Sequence, residues 1–267
     1  MRSCGNSDSQ SPVSTEAAAL SGTMMNARFG DQYDYPPIEG SPRLQLMIAS
    51  IPRSGSTAFC NDLWNTGALG APTEYLNLKW LEKQGRWGSE TRDLLEYWRA
   101  LQTVRTSPNG VFSYKMFVSN YFSVLERCPA LLPLLAPTHV VYLSRNDLVA
   151  QAVSYARAIK SQQWFNSGSH RIMPEYDKAL IDDARRLILK QAQQWERIFS
   201  LTEADVLRVS YEEYLVDRSG TVGRVMQYVC GTSETSGELG LPNIDIQRDI
   251  SSYEWVERYN EECAQAV

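Results

Sequence analysis

The sequence predicts an α/β fold in which a mainly parallel central sheet is flanked by helices. From Leu44 onward, short apolar or β-branched runs alternate with amphipathic stretches, as in chains whose strands are joined by helices. The last two of these runs are brief and apolar, which is typical of strands buried on both faces. Hydrophobic residues make up 43% of the 267 residues and charged residues 21%, so the composition is that of a globular chain with a sizeable core.

Four segments are predicted to be strands, and helices are expected between them. The strands are 44–51, 111–117, 139–143 and 206–209. One helix begins near Ala58 and another covers about 93–104. Asn146 or Asp147 is expected to cap the helix after the third strand. The clearest helix spans about 178–200, where apolar residues recur at helical spacing, and core packing explains that stripe.

The charge pattern excludes several classes of partner. The formal charge is −5 and the isoelectric point is near 5.2, and no block of like charges stands out. General electrostatic binding to nucleic acid or to an anionic membrane is therefore not expected, and any anion site must be local. No apolar run approaches the length of a membrane span, and no secretory signal is expected.

The cysteines indicate a reducing, cytoplasmic setting. They are odd in number and widely scattered, which predicts neither a disulfide framework nor a zinc site. They are Cys4, Cys60, Cys128, Cys230 and Cys263.

The first 40 residues differ from the rest of the chain. They are small, polar and aperiodic, which predicts a disordered N-terminal arm over 1–40 and a single domain over 41–267. Met24 or Met25 is an alternative start.

A tight turn follows the first predicted strand. It reads Pro52-Arg53-Ser54-Gly55-Ser56-Thr57. Gly55 can adopt a positive φ, and successive backbone N–H groups can then surround an anion at the positive end of the next helix. Arg53 adds a guanidinium, and three hydroxyls add donors. The second glycine and the lysine of the Walker A pattern are absent, and an ordinary capped helix start would also explain this segment alone.

Two further strand ends carry candidate ligand-binding residues. Arg145 follows the third strand, and Ser154 lies nine residues later along the next helix, so one phosphate could meet both side chains. Tyr211 follows the fourth strand. Taken singly, these are also explained as a surface arginine, a helical serine and a packing tyrosine. Ligands of open α/β sheets bind at strand carboxyl ends, so the three ends together indicate a nucleotide with two separated acidic groups.

Six segments, in the same order along the chain and at similar spacing, resemble bacterial carbohydrate sulfotransferases of the trehalose 2-sulfotransferase family. They are RSGST, TGALGAPTEYLN, SPNGVFSYKMF, SRNDLVAQAVSYARA, VSYEEYL and SSYEWVERY, and they extend over about 44–259. The resemblance implies a P-loop-like sulfotransferase fold. It also implies transfer of a sulfuryl group from 3'-phosphoadenosine 5'-phosphosulfate (PAPS) to a hydroxyl of a carbohydrate or glycolipid acceptor, by in-line displacement. A symmetric homodimer is a further expectation of the resemblance.

The resemblance also implies a role for individual residues. The 5'-phosphosulfate would be held by Arg53, Ser54, Gly55, Ser56 and Thr57. Arg145 and Ser154 would hold the 3'-phosphate, and Tyr211 would line the adenine pocket. Lys115 is assigned to the sulfuryl end, with an exposed lysine as the alternative, and Arg248 is a candidate phosphate contact. No metal ion is expected, because a sulfuryl group carries less charge than a phosphoryl group.

A general base is needed to take the acceptor's proton, and His or a carboxylate is the usual choice. His139 begins its strand, at the edge opposite the anion sites, and His170 lies in a Ser/Gly-rich loop. Glu74 matches a glutamate of the family, and the resemblance implies that this residue is the general base, so Glu74 is the hypothesis. A surface carboxylate or helix cap is the alternative.

The acceptor and two other functions stay open at this stage. Segments 77–106 and 161–174 are candidate acceptor walls, although tryptophans at helical spacing, such as Trp80, Trp87 and Trp98, are more often core residues. A P-loop kinase would share the sheet and the anion loop, but the Walker lysine is missing. A non-catalytic nucleotide-binding protein would keep the anion sites and make Glu74 dispensable.

Overall fold

Within the part of the chain that the structure describes, four parallel strands form one sheet in the order β2-β1-β3-β4. The computed structural model describes residues 30–85, 91–163, 174–233 and 250–265. The strands are β1 (Leu44–Ser50), β2 (Val111–Phe117), β3 (His139–Ser144) and β4 (Val206–Ser210). Each strand agrees with its predicted bounds to within one residue, and the predicted α/β class is confirmed.

Nine α-helices are found in the described ranges. They are α1 (Ser56–Asn65), α2 (Leu78–Lys83), α3 (Thr91–Arg105), α4 (Val118–Arg127), α5 (Leu148–Ser161), α6 (Lys178–Thr202), α7 (Tyr211–Val216), α8 (Arg218–Cys230) and α9 (Ile250–Gln265). Of the two predicted caps, Asp147 is the one that caps α5, because its side chain accepts a hydrogen bond from the Ala150 N–H at 2.9 Å. The predicted helices over 93–104 and 178–200 correspond to α3 and α6.

The sheet separates two hydrophobic cores because successive side chains of a strand point to opposite faces. Leu46 and Ile48 of β1 pack with α1, α7 and α8 on one face. Met47 and Ala49 pack with the remaining helices on the other face. The molecule is therefore a three-layer α/β/α structure, with β1 central in the sheet and buried on both sides.

β4 differs from its predicted environment. It was predicted as a strand of the fully buried type, but it forms one edge of the sheet, and only Val209 and Ser210 are buried. Arg208 is exposed and forms a two-pronged ion pair with Glu196 of α6, at 2.7 Å for each hydrogen bond. The position of a strand in the sheet depends on the crossovers, and the apolar run alone carries no information on it.

The end of the predicted N-terminal arm lies against α3. The Tyr35 N–H donates to the Val104 carbonyl at 2.8 Å, and Asp34 pairs with Arg105 at 2.7 Å. The expectation of an arm therefore does not extend to these residues. The division of the chain at residue 40 stays a prediction.

The strand order places a crevice at the carboxyl end of β1. The chain passes from β1 to β2 on one side and then returns across β1 to β3 on the other. Such a reversal separates the connecting segments at the strand ends and leaves room for a ligand there. The loop that follows β1 is the first component of the candidate site.

Candidate active site

The loop between β1 and α1 has an unusual backbone. Arg53 has a φ of 68° and Gly55 a φ of 80°, so both residues have the left-handed backbone conformation. Gly55 occupies the N-cap of α1 and provides no side-chain acceptor for the first N–H groups of that helix. Among the described residues, the buried Ser54 hydroxyl has no hydrogen-bond partner. The loop therefore offers amide and hydroxyl donors suited to an anion.

Side chains from α5 and α6 hold the end of β1 and the loop in place by hydrogen bonds to the backbone. The Trp195 indole N–H of α6 donates to the Ser50 carbonyl at 3.0 Å, and the Gln151 amide of α5 donates to the Pro52 carbonyl at 2.9 Å. Both side chains are buried. These bonds satisfy carbonyls at the point where β1 can no longer pair with its neighbours.

Tyr211 packs directly on Gly55. A Cβ atom at position 55 would lie 2.3 Å from Cδ2 of the Tyr211 ring. Gly55 is therefore required both for its positive φ and for the close approach of this ring. Tyr211 is buried at the start of α7, so the segment after β4 contacts the loop after β1.

The predicted phosphate-binding residues lie together. The Arg53 Nε donates to the Ser154 hydroxyl at 2.9 Å, and Arg145 Nη1 donates to the Arg53 carbonyl at 3.2 Å. The Arg145 guanidinium also lies 5.0 Å from the centroid of the Tyr211 ring, which is a cation–π distance. The sequence assigned Arg53 and Ser154 to separate phosphates, whereas the structure joins them by a hydrogen bond.

The electrostatic environment of Arg53 favours an anion. Burial, and then the nearby Arg145 charge, lower the pKa of Arg53 to about 10, with a smaller effect of Arg157 in the same direction and of Tyr211 in the other. Arg53 still carries a proton at neutral pH. A bound anion would offset the cost of this buried positive charge.

Arg157 is a candidate that sequence analysis missed. It lies three residues after Ser154 on α5, so both side chains project from the same side of the helix. Its guanidinium donates to the Ser252 hydroxyl of α9 and lies 5.8 Å from the centroid of the Trp255 ring. The spacing of three residues between Ser154 and Arg157 on a helix could have indicated Arg157 as a further candidate.

Glu74 and Lys115 form a second group, and Lys115 lies opposite Ile48 in the strand that leads into the Arg53 loop. The Lys115 Nζ lies 3.6 Å from Glu74 Oε2, and the two side chains are 5% and 13% exposed. The Lys115 backbone N–H donates to the Thr73 carbonyl at 2.9 Å, which fixes the segment carrying Glu74 beside β2. The alternative of an exposed lysine is therefore wrong, and Glu74 is not a free surface carboxylate.

Two asparagines that sequence analysis did not select contact Glu74. The Asn77 and Asn120 side-chain amides donate to Glu74 Oε1, at 3.1 Å and 2.9 Å respectively. Asn77 is the N-cap of α2, and Asn120 lies in the first turn of α4. The sequence could have indicated Asn77 as a helix N-cap, because asparagine is preferred at that position. The contact of Asn120 with Glu74 depends on tertiary packing, which the sequence pattern does not show.

Other residues considered from the sequence lie elsewhere. Trp80 and Trp98 are buried in the core, which confirms the packing explanation for both. His139 starts β3 at the amino end of the strand, opposite the anion site, as predicted. Arg248, Trp87 and His170 lie outside the described residues.

The described residues form neither a cluster of metal ligands nor a membrane-spanning helix. They contain no group of three or more His, Cys, Asp or Glu side chains placed to hold a metal ion. In the same parts of the chain, no helix combines the length and apolar character needed to cross a bilayer.

The family follows from a match over most of the chain. A family model described as Stf0 sulphotransferase matches residues 45–262. The chain belongs to the Stf0 sulphotransferase family. The matched range contains every residue of the candidate site, and the sequence-based identification of the family is confirmed.

Known proteins with similar sequences carry a more specific name. The chain is 25% identical over 260 residues to trehalose 2-sulfotransferase of Mycolicibacterium smegmatis, covering 83% of this chain and 96% of that protein. It is 26% identical over 258 residues to trehalose 2-sulfotransferase of Mycobacterium tuberculosis, covering 81% and 94%. A crystal structure of a sulfotransferase from Alicyclobacillus acidocaldarius superposes with a TM-score of 0.46 at 12% identity, covering 85% of this chain and 94% of that one.

Because the chain belongs to the Stf0 sulphotransferase family, it is assigned to the transferase enzymes. This membership favours sulfuryl transfer over the P-loop kinase alternative.

Proposed function

We propose that this Stf0 sulfotransferase transfers a sulfuryl group from PAPS to a hydroxyl of a carbohydrate or glycolipid acceptor, with Glu74 as general base. The observation that carries the proposal is the placement of two groups at the carboxyl ends of the neighbouring strands β1 and β2, where Lys115 lies opposite Ile48. One is the cationic set around Arg53, and the other is the Glu74–Lys115 pair. The names of the two trehalose 2-sulfotransferases support a carbohydrate acceptor.

The chemistry of the site suits a donor with two anionic ends. The amides and hydroxyls of 53–57 would hold the 5'-phosphosulfate at the N-terminus of α1. Arg145 and Ser154 would hold the 3'-phosphate, with Arg157 as a third cation on the same side and Tyr211 at the adenine. The Ser54 hydroxyl, which has no hydrogen-bond partner among the described residues, could donate to such an anion. The anion would also offset the cost of the buried charge of Arg53, whose pKa is lowered by burial.

Glu74 would take the proton of the acceptor hydroxyl while that oxygen forms its bond to sulfur. The bond between sulfur and the bridging oxygen of the 5'-phosphate breaks, and its electron pair stays on that oxygen. The products are a sulfate ester and 3'-phosphoadenosine 5'-phosphate (PAP), and Glu74 later releases its proton to solvent. Lys115 has three N–H donors, so it can pair with Glu74 and also stabilise charge on the transferred group or the leaving oxygen.

Calorimetric titration with PAP tests the donor assignment. PAP is expected to bind without metal and more tightly than ATP or adenosine 5'-phosphate, because the site would contact both phosphates. Arg145→Ala is expected to weaken PAP binding by roughly 10- to 100-fold, the effect of losing a charge-assisted hydrogen bond. Arg208→Ala is the matched control, since that arginine is exposed in the middle of the edge strand β4 and pairs with Glu196. ATP binding equal to or tighter than that of PAP would contradict the donor assignment.

Glu74→Gln tests the base. The amide keeps the size of the side chain and removes its ability to accept a proton, so kcat is expected to fall by roughly 100-fold or more. PAP affinity should stay within about twofold. Near-normal turnover in this variant would show that Glu74 is not the base, and PAP binding without any transfer by the wild type would favour the non-catalytic alternative.

A cytoplasmic location and a homodimer are further parts of this proposal. The four cysteines within the described residues form no disulfide bond with one another, which supports a reducing compartment. Sedimentation at working concentration tests the dimer, and a single monomeric species would remove it.

A further inference from the structure

The two oxygens of Glu74 have different surroundings. Oε1 accepts both described amide hydrogen bonds, from Asn77 at 3.1 Å and from Asn120 at 2.9 Å. Oε2 accepts neither and lies 3.6 Å from the Lys115 ammonium, beyond normal hydrogen-bond distance. The carboxylate is therefore asymmetric in its contacts.

This asymmetry distinguishes the two oxygens chemically. A carboxylate oxygen has about two lone-pair directions, and two amide donors engage those of Oε1. Oε2 keeps the capacity to accept a proton. Because an ionised carboxylate only accepts hydrogen bonds, both asparagines must turn their NH₂ groups, and not their carbonyl oxygens, toward Glu74.

Each asparagine is fixed by a separate structural element. The Asn77 Oδ1 also accepts a hydrogen bond from the Trp80 N–H at 3.2 Å, so this side chain caps α2 while its amide holds Glu74. Asn120 lies in the first turn of α4, directly after β2, which carries Lys115. The contact between Asn120 and Glu74 joins residues 46 positions apart. The orientation of the carboxylate is thus set from two helices and one strand.

We propose that Asn120, together with Asn77, is a positioning residue for sulfuryl transfer. Its amide fixes Oε1 so that Oε2 is the atom that takes the acceptor proton. This inference rests on the proposed role of Glu74 as base. General-base catalysis requires the accepting atom to lie within hydrogen-bond reach of the proton, and a small displacement of a reacting group can cost up to about 100-fold in rate.

The first test removes the amide donor of Asn120 in two ways. Asn120→Asp removes both N–H donors and places a carboxylate against Glu74, and Asn120→Ala removes the contact without adding charge. Both are expected to lower kcat by roughly 10- to 100-fold. KM for PAPS and PAP affinity should stay within about twofold, because the anion site is not altered. Turnover is measured as PAP release from PAPS, with trehalose as the acceptor probe and with water alone as the second acceptor.

Matched variants separate positioning from folding. Ser119→Ala changes the preceding, exposed residue of the same helical turn and should leave kcat unchanged. Asn77→Asp keeps an oxygen that can cap α2 and removes the donor to Glu74, so it should reproduce the kcat loss with the fold preserved. Circular dichroism and thermal unfolding check the fold of each variant.

The same substitutions in the Glu74→Gln background decide whether Asn120 acts through Glu74. If it does, Asn120→Ala causes no further loss of kcat there. A further loss of tenfold, or a rise in KM for PAPS without a fall in kcat, would overturn the positioning role. Normal kcat in Asn120→Asp with an inactive Glu74→Gln would also overturn it and would leave the base in place. An active Glu74→Gln would instead contradict the proposed function itself.

Discussion

Arg53 holds a backbone conformation that most side chains avoid. Its φ of 68° is left-handed, and such a residue stores about 1–3 kcal/mol of strain when the surrounding structure holds it in place. The restraints are visible: its carbonyl accepts from Arg145, its Nε donates to Ser154, and the preceding Pro52 carbonyl accepts from Gln151. The loop is therefore preorganised by contacts from outside it.

Gly55→Ala is predicted to be more damaging than a positive φ alone would make it. A new Cβ would collide with the Tyr211 ring at 2.3 Å, in addition to the strain of φ +80°. We expect the free energy of unfolding to fall by about 2–5 kcal/mol and PAP affinity to fall by at least about tenfold. Chemical denaturation and calorimetry measure the two effects.

Gly40→Ala is the control for this prediction. Gly40 has nearly the same φ, +82°, but a Cβ there would meet nothing within 4 Å. We expect a loss of only about 1–2 kcal/mol from backbone strain. Equal losses in the two variants would mean that Tyr211 does not pack on the glycine.

Helix α1 starts at the anion loop, and a buried ion pair fixes its second half. Asp62 accepts from Arg218 Nη2 at 2.7 Å and Nε at 3.0 Å, and from the Tyr214 hydroxyl at 2.6 Å. Asp62 is buried and Arg218 is partly buried. The three side chains tie α1 to α7 and α8, which follow β4.

Asp62→Ala is predicted to destabilise the protein by about 3–5 kcal/mol. The substitution leaves the Arg218 charge and the Tyr214 hydroxyl without their partner in a partly buried site, and that penalty exceeds the value of the pair itself. Thermal and urea unfolding measure the effect. Glu196→Ala breaks the exposed pair with Arg208 and should cost at most about 1 kcal/mol. A loss at Asp62 no larger than that at Glu196 would contradict the prediction.

The strands were predictable from the sequence because short runs of apolar and β-branched residues are typical of buried strands. The location of the site was predictable because the carboxyl ends of parallel strands lie at the same edge of the sheet. That reasoning placed Arg53, Arg145 and Tyr211 together. It did not give the Arg53–Ser154 bond, because residues 101 positions apart met through side-chain packing. Asn120 and Arg157 were missed for the same reason, and the edge position of β4 depended on crossover order.

The whole molecule is predicted to lose stability in two steps as the pH falls. Burial lowers the pKa of His139 below its ordinary value of 6.5, against the opposing effect of Asp205. The Ser210 backbone N–H lowers the pKa of Glu213 from 4.5, and the Lys178 hydrogen bond lowers that of Asp182 from 3.8. In each case the unfolded chain binds protons at a higher pH than the folded chain, so acidification favours unfolding.

We therefore expect the free energy of unfolding to decline first as the pH falls below about 6.5, and again as it falls below about 4.5. Urea unfolding at a series of pH values measures both steps. His139→Gln should remove the first step and leave the second. An increase in stability between pH 7 and pH 5.5 in the wild type would contradict the assignment of His139.

The hydrogen bond from Trp195 to Ser50 has a consequence for biosynthesis. Its partners are 145 residues apart, and ribosomes add roughly 5–20 residues per second, so the end of β1 is made roughly 7–30 seconds before the indole that supports it. Tyr211 follows later still. A ligand of the loop can stabilise only a state that it binds. We therefore expect its stabilising effect to begin only after Trp195 and Tyr211 have been synthesised.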